Sequence, residues 1–334
     1  MAGVEVVIPL RWDSSGELEH GRAVADMAAY LARLCAWAEV TVVDGSSAPR
    51  RAEHSAAWRP FARVIPPDDR RAGCNGKVVG ALTGIDAARH ELVVLADDDV
   101  RYDARTLGQV IALLADADVV RPQNVFDRWP WHARWDGSRS LVNRALAADW
   151  PGTFGLRRSF VQGMGGWDPD VLFENLELVR TAAAAGGRIV QAPGILVARV
   201  PPSAAHFRSQ RVRQAYDDLA QPGRLVVEAC TLPLALLTLA SRPRLLGYAG
   251  AGVVLLAHCG RRRAGARYAV PPDVPYWAPV WVAERAVCVW LALAARARGG
   301  MPYHGRRVKV AAHSYRQLRR RARAQQLRPS AAGR

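Results

Sequence analysis

Lysine is nearly missing from this chain. Of its 46 lysines and arginines only Lys77 and Lys309 are lysines, so a retained ammonium hints that Lys77 supplies a compact point charge. Cysteine is sparse as well. Cys35, Cys74, Cys230, Cys259 and Cys288 are odd in number and scattered, with no Cys-x-x-Cys spacing. That pattern excludes a disulfide framework and a cysteine zinc site, and fits small buried hydrophobes in a reducing compartment. No signal-peptide pattern precedes the first apolar segment, so no leader is expected. Acids all but vanish late in the chain. Residues 241–334 hold 19 Lys+Arg against Asp273 and Glu284, a net of +17, whereas residues 1–240 hold 27 against 28, a net of −1. Also missing is an unbroken apolar run of the roughly 20 residues that span a bilayer unaided.

What stands in the last third is basic charge interleaved with shorter apolar runs. Residues 232–239, 245–259 and 280–295 are hydrophobic, separated by Ser241-Arg242-Pro243-Arg244 and Arg261-Arg262-Arg263. This interleaving argues against nucleic acid and for a membrane with anionic lipids, each arginine near the surface contributing about 1 kcal/mol. Residues 225–259 are expected to form a hairpin that dips into or crosses the membrane. The third run carries Glu284 and Arg285 with Trp277, Trp281 and Trp290, which suits a helix lying in the interface. The competing reading is a soluble helical subdomain with a basic tail. Residues 317–334 are expected to be a disordered cationic tail.

Hydrophobic residues are 50% of the chain, enough for a sizeable core. Val4-Glu5-Val6-Val7-Ile8-Pro9-Leu10 reads as a first buried strand, stopped by proline. Apolar positions Val24, Met27, Ala28, Leu31 and Leu34 predict a helix over 22–38. A second strand, Val40-Thr41-Val42-Val43, ends in Asp44 and a Gly45-Ser46-Ser47 turn. A further helix over 78–88 leads into Val93-Val94-Leu95-Ala96, which ends in Asp97-Asp98-Asp99. Strands alternating with helices predict a mostly parallel sheet covered on both faces, with ligands at the carboxyl ends of the strands. Three adjacent carboxylates repel one another unless a cation neutralises them. Asp97 and Asp99, two apart, converge on one divalent cation, and hard oxygen ligands favour Mg²⁺ or Mn²⁺. The plainer reading is a solvated acidic turn.

Five pieces in order and spacing carry a resemblance: VVIPL, VVDGSS, NGKVVGALTGIDAA with VVLADDD, GMGGWDPDVLFENLEL, and SQRVRQAY. Over roughly residues 4–224 the chain resembles the inverting family 2 glycosyltransferases of the GT-A type. The resemblance implies a Rossmann-like nucleotide-sugar-binding domain over 1–224. A helical membrane-associated region follows over 225–316, then the tail over 317–334. It implies transfer from a nucleotide-sugar donor to a lipid or lipid-linked acceptor at the cell membrane, the catalytic domain lying on the cytoplasmic face.

By that resemblance Asp97 and Asp99 hold the metal, while Pro9, Asp44, Lys77, Asp97, Asp98, Gln210 and Arg213 contact the donor. Asp44 has the alternative of an Asx-turn with Ser46, and Asp98 either binds the nucleoside or caps its turn. His206 stands near the diphosphate or at the surface. In the family an aspartate serves as base where this chain has Asn175, so Glu174, or failing that Glu177, is expected to substitute; both are otherwise first-turn acids favoured by the helix dipole. Gln214 replaces the tryptophan that closes the family's Gln-x-x-Arg-Trp element, which favours single transfer over polymer synthesis. The loop with Gly163, Gly165 and Gly166 is expected to let backbone approach the donor sugar. Trp129, Trp131, Trp135 and Trp150 either stack on sugar or form a satellite core. Two alternatives remain: a scaffold that binds nucleotide sugar without turnover, for which Asn175 speaks, and a soluble transferase acting on a polysaccharide or small glycoside. A nucleotidyltransferase needs a glycine-rich, basic loop after the first strand, which Arg11-Trp12-Asp13-Ser14-Ser15-Gly16 does not provide.

Overall fold

The computed structural model describes residues 3–13, 16–303 and 305–326. Its strands are β1 Val4–Leu10, β2 Glu39–Asp44, β3 Arg63–Ile65, β4 Leu92–Ala96, β5 Val100–Arg101, β6 Val119–Phe126, β7 Thr153–Arg157, β8 Ile189–Arg199, β9 Met301–Tyr303 and β10 Arg306–Val308. The helices before the acidic turn are α1 Glu17–Leu34, α2 Ala48–Trp58 and α3 Gly76–Ala87. Between that turn and residue 220 come α4 Ala104–Leu113, α5 Trp131–Leu146, α6 Arg158–Gly163, α7 Glu174–Ala184, α8 Ala204–Ser209 and α9 Arg211–Tyr216. The last four are α10 Pro222–Ser241, α11 Arg244–Arg262, α12 Ala278–Ala297 and α13 Tyr315–Gln326.

β1 to β8 form one sheet in the order β3-β2-β1-β4-β7-β6-β8-β5. Strands β3, β2, β1 and β4 run parallel, β7 is antiparallel to β4 and β6, and β8 is parallel to β6. The mostly parallel sheet with helices on both faces is the GT-A arrangement. On one face Val4, Val6, Ile8 and Leu10 pack with Met27 and Leu31 of α1. On the other, Val7 packs with Val78, Ala81 and Ile85 of α3. Burial on both faces is why β1 and β4 read as continuous apolar runs. Helix α3 lies hard on β1 because Gly84 lacks a side chain; a Cβ there would stand 2.3 Å from Val7 Cγ1. That packing sets the start of α3, with Asn75 as its cap and Lys77 in its first turn, beside the carboxyl ends of β1 and β4.

Three local expectations change. Proline does not stop β1: Pro9 pairs with Val43 and the strand runs on to Leu10. The β1–β4 register ends at Val7–Leu95, and the Leu10 carbonyl bonds toward β2 through Gly45, so the missing N–H of Pro9 faces a neighbour that has already turned away. Helix α1 starts at Glu17 rather than Arg22, with Glu17 and Glu19 in the first turn favouring its dipole. The expected disordered tail is ordered over Tyr315–Gln326, which forms α13. This helix packs on α7, and Arg321 bonds Asp168 at 3.0 Å. Residues 327–334 lie outside the described residues.

The chain after residue 224 is laced into the first part. α11 packs on α5, and α12 packs on α9, α10 and α5. β9 and β10 pair as a hairpin. α10 and the stretch Val274–Ala297 are long and apolar enough to cross a bilayer by length and composition. They differ in burial: 6% of the apolar window of α10 is covered, against 39% of the other. On α10, Val227, Leu236 and Leu237 are 68%, 58% and 66% exposed. The third run, α12, turns one face inward. Trp281 and Arg285 are buried, Arg285 bonds Asp218 at 2.9 Å, and Glu284 accepts from Trp135 Nε1 at 3.1 Å. Its polar residues bond α5, α9 and the turn after α9, while Val280, Val287, Trp290 and Leu291 stay exposed.

Candidate active site

The carboxyl ends of β1, β2 and β4 open into a cleft of about 840 Å³. Asp97 follows β4 directly, and its N–H donates to the Gly152 carbonyl at 2.8 Å. Its carboxylate accepts from Lys77 Nζ at 2.6 Å and lies 3.9 Å from Arg199. Asp99 Oδ2 accepts from Arg199 Nε at 2.8 Å. The three carboxylates are therefore not left to repel one another; Lys77 and Arg199 neutralise two of them. Burial raises Asp97, with Asp99 adding to it and Lys77 opposing. Burial would lower Lys77, but Asp97 and Glu174 outweigh it and keep the ammonium charged. Asp98 also lines the cleft and accepts from Trp12 Nε1; burial, then Asp99, pushes it up to about 6.

A divalent cation suits this turn. Asp97 and Asp99 both line the cleft, and Asp99 Oδ1 is buried with no hydrogen-bond partner among the described residues. An orphaned carboxylate oxygen is what a hard cation would take. The turn also has a built floor. A Cβ on Gly152 would stand 2.4 Å from Asp97 Oδ2, so only glycine leaves the carboxylate its place. Gly152→Ala should therefore lower kcat/KM about tenfold or more by displacing Asp97, a shift of 1 Å being costly at a reacting centre, while thermal unfolding changes little. Unchanged turnover by that variant would detach Asp97 from the chemistry.

Glu174 opens α7 and reaches the cleft. Its Oε1 accepts from Lys77 Nζ at 2.8 Å. Burial would raise Glu174, but Lys77 and Arg213 outweigh it and hold the carboxyl below its ordinary value. Glu177, the other candidate, does not reach the cleft. It is fully buried and accepts from the His313 backbone N–H at 2.7 Å and ring Nδ1 at 2.8 Å. Donors from the segment before α13 draw it away from its neighbour one turn back. Asp168, Glu177 and His313 bring ligand atoms within 4.8 Å of one another, but Arg321 already serves Asp168 and His313. Asn175 lines the cleft and donates from Nδ2 to the Pro151 carbonyl at 2.9 Å. An aspartate there would set a carboxylate against a carbonyl oxygen.

Asp44 does not face the cleft either. It is fully buried, accepts from Ser46 N–H at 2.9 Å and pairs with His54 Nδ1 at 2.6 Å. The Asx-turn reading prevails, with His54 stacked on Trp58 beneath it. Pro9, Gln210, Arg213 and His206 all line the cleft. Arg213 donates to Gln210 Oε1 at 3.2 Å and lies 4.8 Å from the centroid of Tyr303. Gly163, Gly165 and Gly166 are not among the lining residues; a Cβ on Gly166 would meet Leu82 at 2.7 Å, so the loop is folded onto α3. Of the tryptophans, Trp150 lines the cleft with Arg121 3.9 Å above its ring, while Trp129 and Trp135 pack in a satellite core with Trp281.

Sequence reasoning missed Arg199, Asp217 and Arg285, which also line the cleft. Arg199 ends β8, so its strand-end position was the available signal. Asp217 and Arg285 carried none, because only packing of α12 on α9 brings them together.

The family model Glycosyltransferase like family 2 matches residues 40–217, just over half of the chain. No curated protein matches it. Among solved structures, the mannosyltransferase PcManGT from Pyrobaculum calidifontis in complex with GDP-Man and Mn²⁺ aligns over 98% of this chain and 81% of its own, at 17% identity and TM-score 0.44. The mannosyl-3-phosphoglycerate synthase from Rubrobacter xylanophilus aligns over 66% of this chain and 75% of its own, at 14% identity and TM-score 0.41. GalNAc-T7 with UDP, GalNAc and Mn²⁺ aligns over 66% and 50%, at 15% identity and TM-score 0.41. With the sheet order, the acidic turn after β4 and the match over 40–217 taken together, the chain belongs to the glycosyltransferase like family 2 and is a glycosyltransferase of the GT-A fold.

Proposed function

We propose that this transferase moves a sugar, with inversion, from a nucleotide-sugar donor to a lipid or lipid-linked acceptor at the cytoplasmic face of the cell membrane. The observation that carries the donor half is the pair Asp97 and Asp99, one oxygen of which is unpartnered, flanked by Lys77 and Arg199. Asp97 and Asp99 would hold Mg²⁺ or Mn²⁺, which when bound offsets charge on the departing diphosphate. Lys77, Arg199 and Arg213 bring fixed positive charge to the same end, and arginine suits phosphate oxygens bidentately. Gln210 orients Arg213, and Pro9 shapes the wall under the nucleoside. Glu174 holds Lys77 in place. Inversion is what the resemblance over residues 4–224 implies.

The acceptor half rests on α10. A helix of 20 residues spans about 30 Å, and the leucines of this one face outward with arginines at its ends. We assign residues 1–224 to donor binding and catalysis and residues 225–316 to membrane attachment. Removing the second part would also strip Arg285, Tyr303 and Arg306 from the cleft, so truncation is a poor test. Leu236→Asp combined with Leu237→Asp is better, since both side chains are exposed. The wild-type protein should sediment with phosphatidylcholine–phosphatidylglycerol vesicles in high salt, and the double variant should stay largely in the supernatant with its fold intact. Labelled sugar supplied as a nucleotide-sugar panel should pass into the organic phase. Equal sedimentation of both proteins, or label confined to the aqueous phase, would remove the membrane half of the reading.

A further inference from the structure

A hydroxyl that accepts a sugar must lose its proton, and Asn175 cannot take one. The acids that line the cleft are nearly all committed elsewhere. Asp97 and Glu174 hold Lys77, and Asp99 holds Arg199. Asp98 accepts from Trp12, Asp136 pairs with Arg139, and Asp218 pairs with Arg224 and Arg285. Asp217 is the exception. Its side chain forms no ion pair among the described residues, and its Oδ1 is buried with no hydrogen-bond partner among them. It opens the 3₁₀ turn Asp217–Ala220 that follows α9 directly, so it stands about one helical turn beyond Arg213.

The charged groups facing Asp217 come from every side: Glu174 from α7, Arg213 from α9, Asp218 from its own turn and Arg285 from α12. Burial pushes its carboxyl up to about 8, Glu174 and Asp218 adding and Arg213 and Arg285 opposing. Glu174 shows the opposite balance. Burial would raise it, but Lys77 and Arg213 hold it below its ordinary value. A base works best when its conjugate acid titrates near the working pH, so of the two Asp217 is the stronger base. The same wall shows what comes to it. Gln214 Oε1 and Arg285 Nε line the cleft and are likewise buried without a partner among the described residues. Few buried polar atoms are left unpaired. An unpaired acceptor beside an unpaired donor suits hydroxyl groups, which both donate and accept.

We propose that Asp217 is the general base of the transfer and takes the proton of an acceptor hydroxyl. The proposal rests on the reading of the chain as a transferase. The hydroxyl proton passes to a carboxylate oxygen of Asp217 as the hydroxyl oxygen bonds the anomeric carbon. The bond from that carbon to the nucleoside diphosphate breaks, and its electron pair leaves with the diphosphate. Asp217, now neutral, returns the proton to water.

The test follows full-length protein in phosphatidylcholine vesicles with Mn²⁺ and the labelled nucleotide-sugar panel. Hexadecyl glucoside supplies hydroxyls, water supplies them when no glucoside is added, and azide is an anionic nucleophile with no proton to lose. Asp217→Asn should lower kcat with either hydroxyl source by about 10²–10⁴-fold. It should change the KM for nucleotide sugar little and form glycosyl azide at close to the wild-type rate. Asp217→Glu should recover part of the hydroxyl reaction. Wild-type kcat/KM should climb with pH and level off at about 8, and Asp217→Asn should lose that climb. An equal loss with azide overturns the base, because a residue that only holds the wall in shape serves every nucleophile alike. Undiminished transfer to hydroxyls by folded Asp217→Asn overturns it outright. His206 also lines the cleft; if His206→Gln, and not Asp217→Asn, shows the loss that azide escapes, the base is His206 and the proposal falls. These outcomes defeat this proposal alone, whereas no turnover of any donor with any nucleophile defeats the transferase reading beneath it.

Discussion

Asp99→Asn abolishes sugar transfer, with kcat/KM expected to fall by about 10²–10³-fold or more, the scale for losing one group that offsets charge in the transition state. The substitution keeps the size of the side chain and removes the charge of a carboxylate whose Oδ1 has no partner among the described residues. Arg199 retains Asp97 nearby at 3.9 Å, so the guanidinium is not stranded. Thermal stability should hold or rise slightly, because three adjacent carboxylates become two. Steady-state rates across a Mn²⁺ titration check this. Saturating metal should not rescue the variant, and rescue would mean that Asp99 only tunes affinity.

Lys77→Met is the second large effect, and it strikes both stability and activity. The ammonium sits between Asp97 at 2.6 Å and Glu174 at 2.8 Å. Removing one partner of a fully buried ion pair costs about 3–5 kcal/mol; Lys77 keeps 23% of its side chain exposed, so the cost should fall below that range, although two carboxylates lose the same cation. The deficit should depend on pH. Without Lys77, burial and mutual repulsion raise both carboxylates above their unfolded values. The stability of such groups is fully present below the unfolded value and is lost as pH rises through the folded one. Asp97 is already raised in the intact protein, so the deficit should be large at pH 8 and shrink as pH falls toward the ordinary carboxylate range. Chemical denaturation at several pH values reads this directly. A deficit that is small and independent of pH would show that Lys77 is only a surface charge.

The strands that carry the acidic turn were legible because they are buried on both faces. β1, β2 and β4 read as apolar runs, and α1 and α3 were read beside them, whereas α2 was not. The second half of the sheet was not read. Pro122 lies within β6, and Pro193 with Gly194 interrupts β8, so neither shows a clean strand pattern. Side-chain destinations were harder still. Asp97, Asp99, Lys77, Glu174, Gln210 and Arg213 do meet in one cleft. Glu177 was misplaced because its partner His313 lies 136 positions away. Asp44 was misread because His54 comes from the next helix. In the third apolar run the burial of Trp281 and Arg285 was not legible, because it comes from contacts with α9 and α5, which no local pattern encodes. The basic tail looked disordered on charge alone, whereas Arg321 and Asp168 tie its helix down.

The central claim is that Asp97 and Asp99 serve a nucleotide-sugar donor through a divalent cation. The most direct measurement is turnover of the labelled nucleotide-sugar panel by the full-length protein in vesicles, first with Mn²⁺, then with EDTA, then with Mn²⁺ restored in excess. One donor should turn over, stop in EDTA and recover with metal, and Asp97→Asn protein should stay silent throughout. Undiminished turnover in EDTA, or normal turnover by Asp97→Asn, would contradict the account.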